Sequence, residues 1–139
     1  MKLETDPRTN EVFTAKPQPG TFAQRSIATF EWSTDVKRTK RIIVEAVTAD
    51  CEVLGLTFAE TESNSYVCMD GEWLVALAYA PESPDYHWWR KNADGTWYHK
   101  PGASPVRTVD ASGNIIWDPR ECDMGFYSEF LGYFVVSPN

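Results

Sequence analysis

Apolar residues return at helical spacing along one long stretch of the chain. From Val36 they recur at Ile43, Val47 and Leu54, with Ile42 and Ala46 alongside, which is the stripe of an amphipathic helix. Ser33-Thr34-Asp35 supplies side-chain oxygens for the first free amides, and Gly55 supplies a residue that can end the helix in the left-handed region. Lys37, Arg38, Lys40 and Arg41 crowd the early turns, where the helix dipole disfavours cations. They read as a solvated face or as contact residues, and not as helix stabilisers.

Beyond Leu56 the texture becomes that of strands. Leu56–Ala59 and Tyr66–Cys68 are short candidates, and Trp73–Tyr79 (WLVALAY) is an unbroken apolar run of the kind buried on both faces of a sheet. Tyr86–Lys91 and Thr96–Lys100 flank Asn92-Ala93-Asp94-Gly95, which reads as a type I turn with a glycine bulge. Val106–Val109 and Asn114–Trp117 predict a second, smaller hairpin through Asp110–Gly113, and Leu131–Val136 (LGYFVV) a final buried strand. Residues 1–32 are polar and broken by Pro7, Pro17 and Pro19. They predict an extended N-terminal segment, with at best a short turn around Glu11–Ala15, that serves contacts beyond the core. Residues 33–139 then form a single α+β domain, one main helix followed by an antiparallel meander.

The central hairpin carries the candidate chemistry. A three-residue loop places Asn92 opposite Thr96, Trp89 opposite His99 and His87 opposite Pro101. The chain's two histidines, His87 and His99, then share one face of the ribbon on diagonal positions about 7–8 Å apart at Cα; a slip of one residue would separate them. Trp88, Trp89, Trp97 and Tyr98 surround them, either packed inside the domain or offered as an aromatic platform to a sugar, peptide or protein.

Composition narrows the function classes. A net charge of −7 argues against a nucleic-acid backbone as partner, which needs a basic stripe. No segment is long and apolar enough to span a bilayer, and MKLETDPRTN has no apolar signal core. Cys51, Cys68 and Cys122 are an odd count without CxxC spacing, expected as reduced thiols in a cytoplasmically made protein. No ligand spacing supports a metal, and no cofactor is expected.

A histidine on a strand with a second polar group on the adjoining strand is the base and orienting half of a cysteine hydrolase; the other half is a thiol at a helix start. The helix-then-strands order is similar to NlpC-type, papain-like enzymes. A more specific resemblance rests on DYHWWRKNADGTWYHKPG (Asp85–Gly102), DASGNII (Asp110–Ile116) and DPRECD (Asp118–Asp123). These look like a family of bacterial, phage and shell-matrix proteins labelled insoluble matrix shell protein, which carries DYHWYRQDxDGxWSHKPG and SGxxIxDP segments. Thr21-Phe22-Ala23-Gln24 also resembles that family's TFAQPG, which follows an Asn-Cys-Tyr motif by about a dozen residues. The corresponding position here is Asn10-Glu11-Val12, so Glu11 stands where the resemblance would put a thiol.

Three functions remain as expectations. The first is a non-catalytic structural or interaction module on a degenerate cysteine-hydrolase scaffold, such as a phage particle accessory protein, with His87, His99 and Glu11 as a remnant site and a protein partner or homo-oligomer as its assembled state. The second is a cysteine peptidase or amidase that recruits Cys51 or Cys122 to His87 and His99. The third is an inhibitor or immunity-type protein binding through the tryptophan-rich hairpin.

Overall fold

The computed structural model describes residues 3–5, 12–14, 23, 35–82, 85–100 and 105–138. Near the N-terminus β1 (Leu3–Thr5) and β2 (Val12–Thr14) pair antiparallel, with Glu4 opposite Phe13. At these residues a short ribbon stands in place of the expected extended coil and turn around Glu11–Ala15; Glu11, Ala15 and the rest of 1–32 apart from Ala23 lie outside the described residues. The rest is α1 (Val36–Val53), β3 (Leu56–Thr61), β4 (Trp73–Ala80), β5 (Asp85–Lys91), β6 (Trp97–His99) and β7 (Glu129–Pro138). Together they make an α+β fold, one helix with a five-stranded antiparallel sheet.

The helix starts as its sequence dictates. Asp35 is the N-cap, and its Oδ1 accepts from the Arg38 amide at 3.1 Å. At the other end Leu54 N–H reaches the carbonyls of Asp50 and Cys51, both at 3.1 Å, and Gly55 turns the chain at φ 74°. Thr39, Ile43, Ala46 and Asp50 form the buried line. Ile43 and Ala46 pack on Leu77, Tyr79, Leu131 and Phe134, and each fully buried aliphatic side chain contributes about 1.5–3 kcal/mol. Asp50 is buried at the helix C-terminal end, where its Oδ1 accepts from the Ala23 amide at 2.9 Å.

The strand order is β3-β7-β4-β5-β6, which corrects the expected meander. The last strand enters between β3 and β4, pairing Phe134 with both Glu60 and Val75. Its sequence explains why. Leu131–Val136 is buried throughout, and a strand hidden on both faces belongs inside a sheet and not at its edge. The register slips between Leu77 and Ala78, where Leu77 faces Gly132 and Ala78 faces Phe130, so Leu131 is the additional residue of a bulge. Gly132 has φ 145°, and a Cβ there would lie 3.2 Å from Glu60 Oε2.

The two faces of the sheet are covered differently. α1 lies on the face of Leu77, Tyr79 and Phe134. The other face, built from Leu74, Ala76, Ala78, Trp89, Trp97, Tyr133 and Val135, is covered by Ile116, Cys122, Met124 and Tyr127 from the 105–128 segment and by Tyr66. This double cover makes β4 the two-sided strand its apolar run predicts. Two other expectations need correction. Tyr66–Cys68 is irregular, with the Tyr66 hydroxyl donating to Glu72 Oε1 at 2.9 Å. The second hairpin reduces to a single bridge, Val109 to Ile115.

Candidate functional site

The Asn92–Gly95 turn sets the site's geometry. Asn92 N–H donates to Thr96 O at 2.7 Å, Gly95 N–H to Asn92 O at 3.1 Å, and Gly95 sits at φ 90°. Asp94 Oδ1 locks the turn by accepting from the Thr96 amide at 2.9 Å and its hydroxyl at 2.6 Å. The Thr96 hydroxyl and amide hold the Asp94 carboxyl below the usual carboxylate range. Lys91 then faces Trp97, Arg90 faces Tyr98, and Trp89 faces His99, as the three-residue loop predicts. Pro101, expected opposite His87, lies outside the described residues.

Because side chains alternate along a strand, this register puts His87 and His99 on one face, and they meet there. His87 Nε2 and His99 Nδ1 are 2.7 Å apart, with the rings perpendicular at 90°. On its far side His99 Nε2 lies 2.9 Å from Val109 O. A carbonyl oxygen can only accept, so His99 Nε2 carries the proton. With His99 neutral its Nδ1 is the acceptor, and His87 Nε2 donates to it. The chain of donors thus runs from His87 through His99 to the backbone at Val109.

Aromatic rings enclose the pair. Tyr127 stacks on His87 with centroids 4.8 Å apart and planes at 20°, and Trp89 meets the same imidazole edge-on at 4.7 Å. The Tyr127 hydroxyl donates to Asp85 Oδ2 at 2.9 Å. Burial, then the Asp85 carboxylate, pushes the Tyr127 phenol above its ordinary range. Val109 itself is held by neighbours. Arg107 and His99 exchange two backbone hydrogen bonds, at 2.9 and 2.7 Å. The buried Asp110 gathers amides, its Oδ1 accepting from Ser112 and Asn114 at 2.9 and 3.0 Å and its Oδ2 from Asp123 at 3.1 Å. The Asn114 amide first, with those of Asp123 and Ser112, keeps the Asp110 carboxyl below its ordinary range. Farther along, the Tyr133 hydroxyl donates to Asp118 Oδ1.

The structure separates the aromatic set. Trp89 is 2% exposed and Trp97 fully buried, so these two are core residues and do not offer the platform considered above. Trp88 is half-buried on the helix side, edge-on to Phe58 with centroids 6.1 Å apart, and Tyr98 is half-buried. The indole Nε1–H of Trp97 has no hydrogen-bond partner among the described residues.

The relation of the helix to the histidines bears on the hydrolase reading. His87 pairs with Ala78 and Trp89 with Ala76, all on the face opposite α1. The sheet therefore stands between the helix and the imidazoles, and no thiol on the inner side of α1 can reach them. Cys51 is buried in α1, where burial and then Asp50 push its thiol up. Cys122 lies on the histidine side, but its thiol donates to Pro119 O at 3.2 Å. Burial and then the carboxylates of Asp110 and Asp123 push it up to about 11, which keeps it protonated at neutral pH. Cys68 is exposed. Glu11 lies outside the described residues.

Asp110 and Tyr127 complete the site without having been singled out in the sequence. The run Asp110-Ala111-Ser112-Gly113-Asn114 carries a signal for the first, since an aspartate two residues ahead of a serine forms such turns. Tyr127 carries none. Among the described residues there is no group of three or more His, Cys, Asp or Glu side chains placed to hold a metal, and no helix long and apolar enough to cross a membrane.

Comparison with known proteins gives one partial likeness. No protein-family model and no solved structure matches the chain. Over 67 residues it is 45% identical to insoluble matrix shell protein 1 of Ruditapes philippinarum, an alignment that spans 48% of this chain and 45% of that protein. The likeness supports the resemblance read from the hairpin and extends over about half of each chain.

Proposed function

We propose that this chain is a structural or interaction module that works by associating with protein, and that its histidine pair is a clamp and not an acid–base centre. The observation that carries this reading is the engagement of His99 at both ring nitrogens, one on His87 and one on Val109 O. An imidazole held this way ties β5 and β6 to the 105–128 segment, and His99 itself has no nitrogen left to take a proton from a nucleophile. The sheet between α1 and the pair is a second support, since a cysteine hydrolase needs its thiol within hydrogen-bond reach of the base. The part of the chain that is similar to a protein named for an insoluble shell matrix adds a third. The assembly served would be a matrix or a particle, a phage particle among them.

The test combines mass and thiol chemistry. Light scattering is expected to give a mass above that of one chain, or a stable complex with a protein partner. Iodoacetamide at about pH 6 should leave every thiol except the exposed Cys68 slow to react. Rapid alkylation of Cys122 accompanied by loss of a peptidase or amidase turnover would replace this reading with the hydrolase one.

A further inference from the structure

The outward side of α1 has an order of charges that its own dipole opposes. Within Val36–Val53 the exposed positions are Lys37, Arg38, Arg41, Glu45, Glu52 and Val53. The cations all fall in the first half and the anions in the second. The first turn contains no acid and the last turn no base. A helix N-terminus carries partial positive charge and its C-terminus partial negative, so cations first and anions last is the unfavourable arrangement for a helix alone. At the cationic end the N-cap carboxylate of Asp35, which accepts from the Arg38 amide at 3.1 Å, offsets only part of it. Lys40 pairs with Glu60 at 2.9 Å, while Lys37, Arg38 and Arg41 have no ion-pair partner among the described residues, in a chain of net charge −7.

The spacing turns this cost into a surface. Residues 37, 41, 45 and 52 are separated by four, four and seven, so they lie along one line of the helix, with Arg38 beside it. That line has two halves of opposite sign. Laid antiparallel on a second copy of itself it is self-complementary. Lys37 and Arg38 meet the second copy's Glu52, Arg41 meets its Glu45, and a two-fold axis relates the contacts. The macrodipoles then help as well. Each cationic end lies against the partner helix's C-terminus, so charges placed against their own dipole are placed with the neighbour's. A parallel arrangement would oppose like charges along the whole stripe.

We infer that the exposed stripe of α1 is a homodimer interface, in which two copies of this chain pair their helices antiparallel through Lys37, Arg38 and Arg41 against Glu45 and Glu52. The inference takes from the preceding reading only that the chain works by association. A chain that stays monomeric yet binds another protein would end the helix pairing and leave that reading standing.

Exposed ion pairs are individually weak and salt-sensitive, which fixes the form of the test. Sedimentation velocity at ~100 µM chain should show dimer at about 20 mM salt and at least ~10-fold weaker association at about 500 mM. The variant K37E/R38E/R41E and the variant E45K/E52K should each be monomeric alone and should associate when mixed. The variant with all five charges exchanged should recover homodimer to within about threefold of the natural chain. Circular dichroism checks folding, and K37E/R38E/R41E should keep or raise the melting temperature of the monomer, because it corrects the charge order toward the dipole. A monomer at low salt overturns the inference. So does association that K37E/R38E/R41E leaves unchanged, which would place the contact elsewhere, or failure of the mixed variants to pair.

Discussion

α1 and the 105–128 segment cover opposite faces of the same sheet by different physical means. The helix satisfies its own backbone and offers a line of side chains, Thr39, Ile43, Ala46 and Asp50, to a prepared apolar face. The 105–128 segment has almost no ladder of its own, one bridge at Val109–Ile115 and one from Arg107 to His99. Its backbone groups are met partly by turn bonds, such as Asp110 N–H to Asn114 O at 2.8 Å and Ala111 N–H to Asp123 O at 3.0 Å, and partly by side chains. Asp110 takes three amides, Asp123 Oδ1 takes the Gly125 amide at 2.9 Å, and His99 takes the Val109 carbonyl. Such a cover still buries apolar surface, through Ile116, Cys122, Met124 and Tyr127. Its shape depends on a few polar groups, each of which costs more to remove than its net contribution suggests.

The contrast is tested first where the effect is largest. Ile43→Ala removes buried methyl groups from the helix face and should cost about 2–5 kcal/mol in urea or guanidinium unfolding, by the same amount at pH 4 and pH 7. A loss under 1 kcal/mol would mean that α1 is not held by apolar burial.

Asp110→Ala should cost about 1–3 kcal/mol, because it leaves the amides of Ser112, Asn114 and Asp123 without an acceptor. Asp110→Asn should cost less, since one oxygen can keep two of the three amides. The carboxyl is held below its ordinary range in the folded chain. Its contribution is therefore complete above the unfolded value, about 3.9, and lost as the pH falls through the folded one. Either variant should flatten the stability profile below about pH 4, whereas Ile43→Ala should not. An unchanged acid limb in Asp110→Ala would remove the distinction between the two faces.

His99→Phe keeps a ring of similar size and removes both links of the clamp. About 1–2 kcal/mol of stability should be lost. Hydrogen exchange should locate the change, with faster exchange at the Arg107 and Trp97 amides, which bond to His99 O and Ile116 O, and little change in α1. Uniform acceleration over the whole chain would show that the clamp has no local role.

The same division separates what the sequence discloses from what it hides. Period 3.6 from Val36 and the cap at Asp35 are local facts, and α1 follows from them. The register of β5 and β6 is also local, because Asn92–Gly95 admits only a short loop, and this brings His87 to His99. The position of β7 needed one further step, that a strand apolar on both faces cannot be an edge. Tyr66–Cys68 and the supposed second hairpin misled because alternation over three or four residues is also what a loop pinned by Glu72 or Asp110 produces. The burial of Trp97 and the stacking of Tyr127 on His87 depend on contacts far along the chain, which no pattern in either segment announces.

The smallest effect expected is that of Tyr127→Phe, and it isolates one hydroxyl. The ring should stay stacked on His87, so the clamp keeps its cover. Only the bond to Asp85 Oδ2 is lost, from a partly exposed pair, and the cost near neutral pH should be about 1 kcal/mol or less. The alkaline limb is the more specific readout. In the folded chain the phenol lies above its ordinary range, through burial and the Asp85 carboxylate. It therefore stays protonated where the unfolded chain, with a phenol near 10, begins to ionise. Its contribution is complete below about pH 10 and is lost as the pH rises toward the folded value. Tyr86, pushed up to about 12 by burial and then Asp85, and Tyr133, raised by burial and then Asp118, act in the same direction. Tyr127→Phe should remove one of these three contributions, so its stability should fall less steeply above pH 10 than that of the natural chain. If the two profiles run parallel, the Tyr127 hydroxyl ionises as freely folded as unfolded, and its bond to Asp85 does not hold in solution.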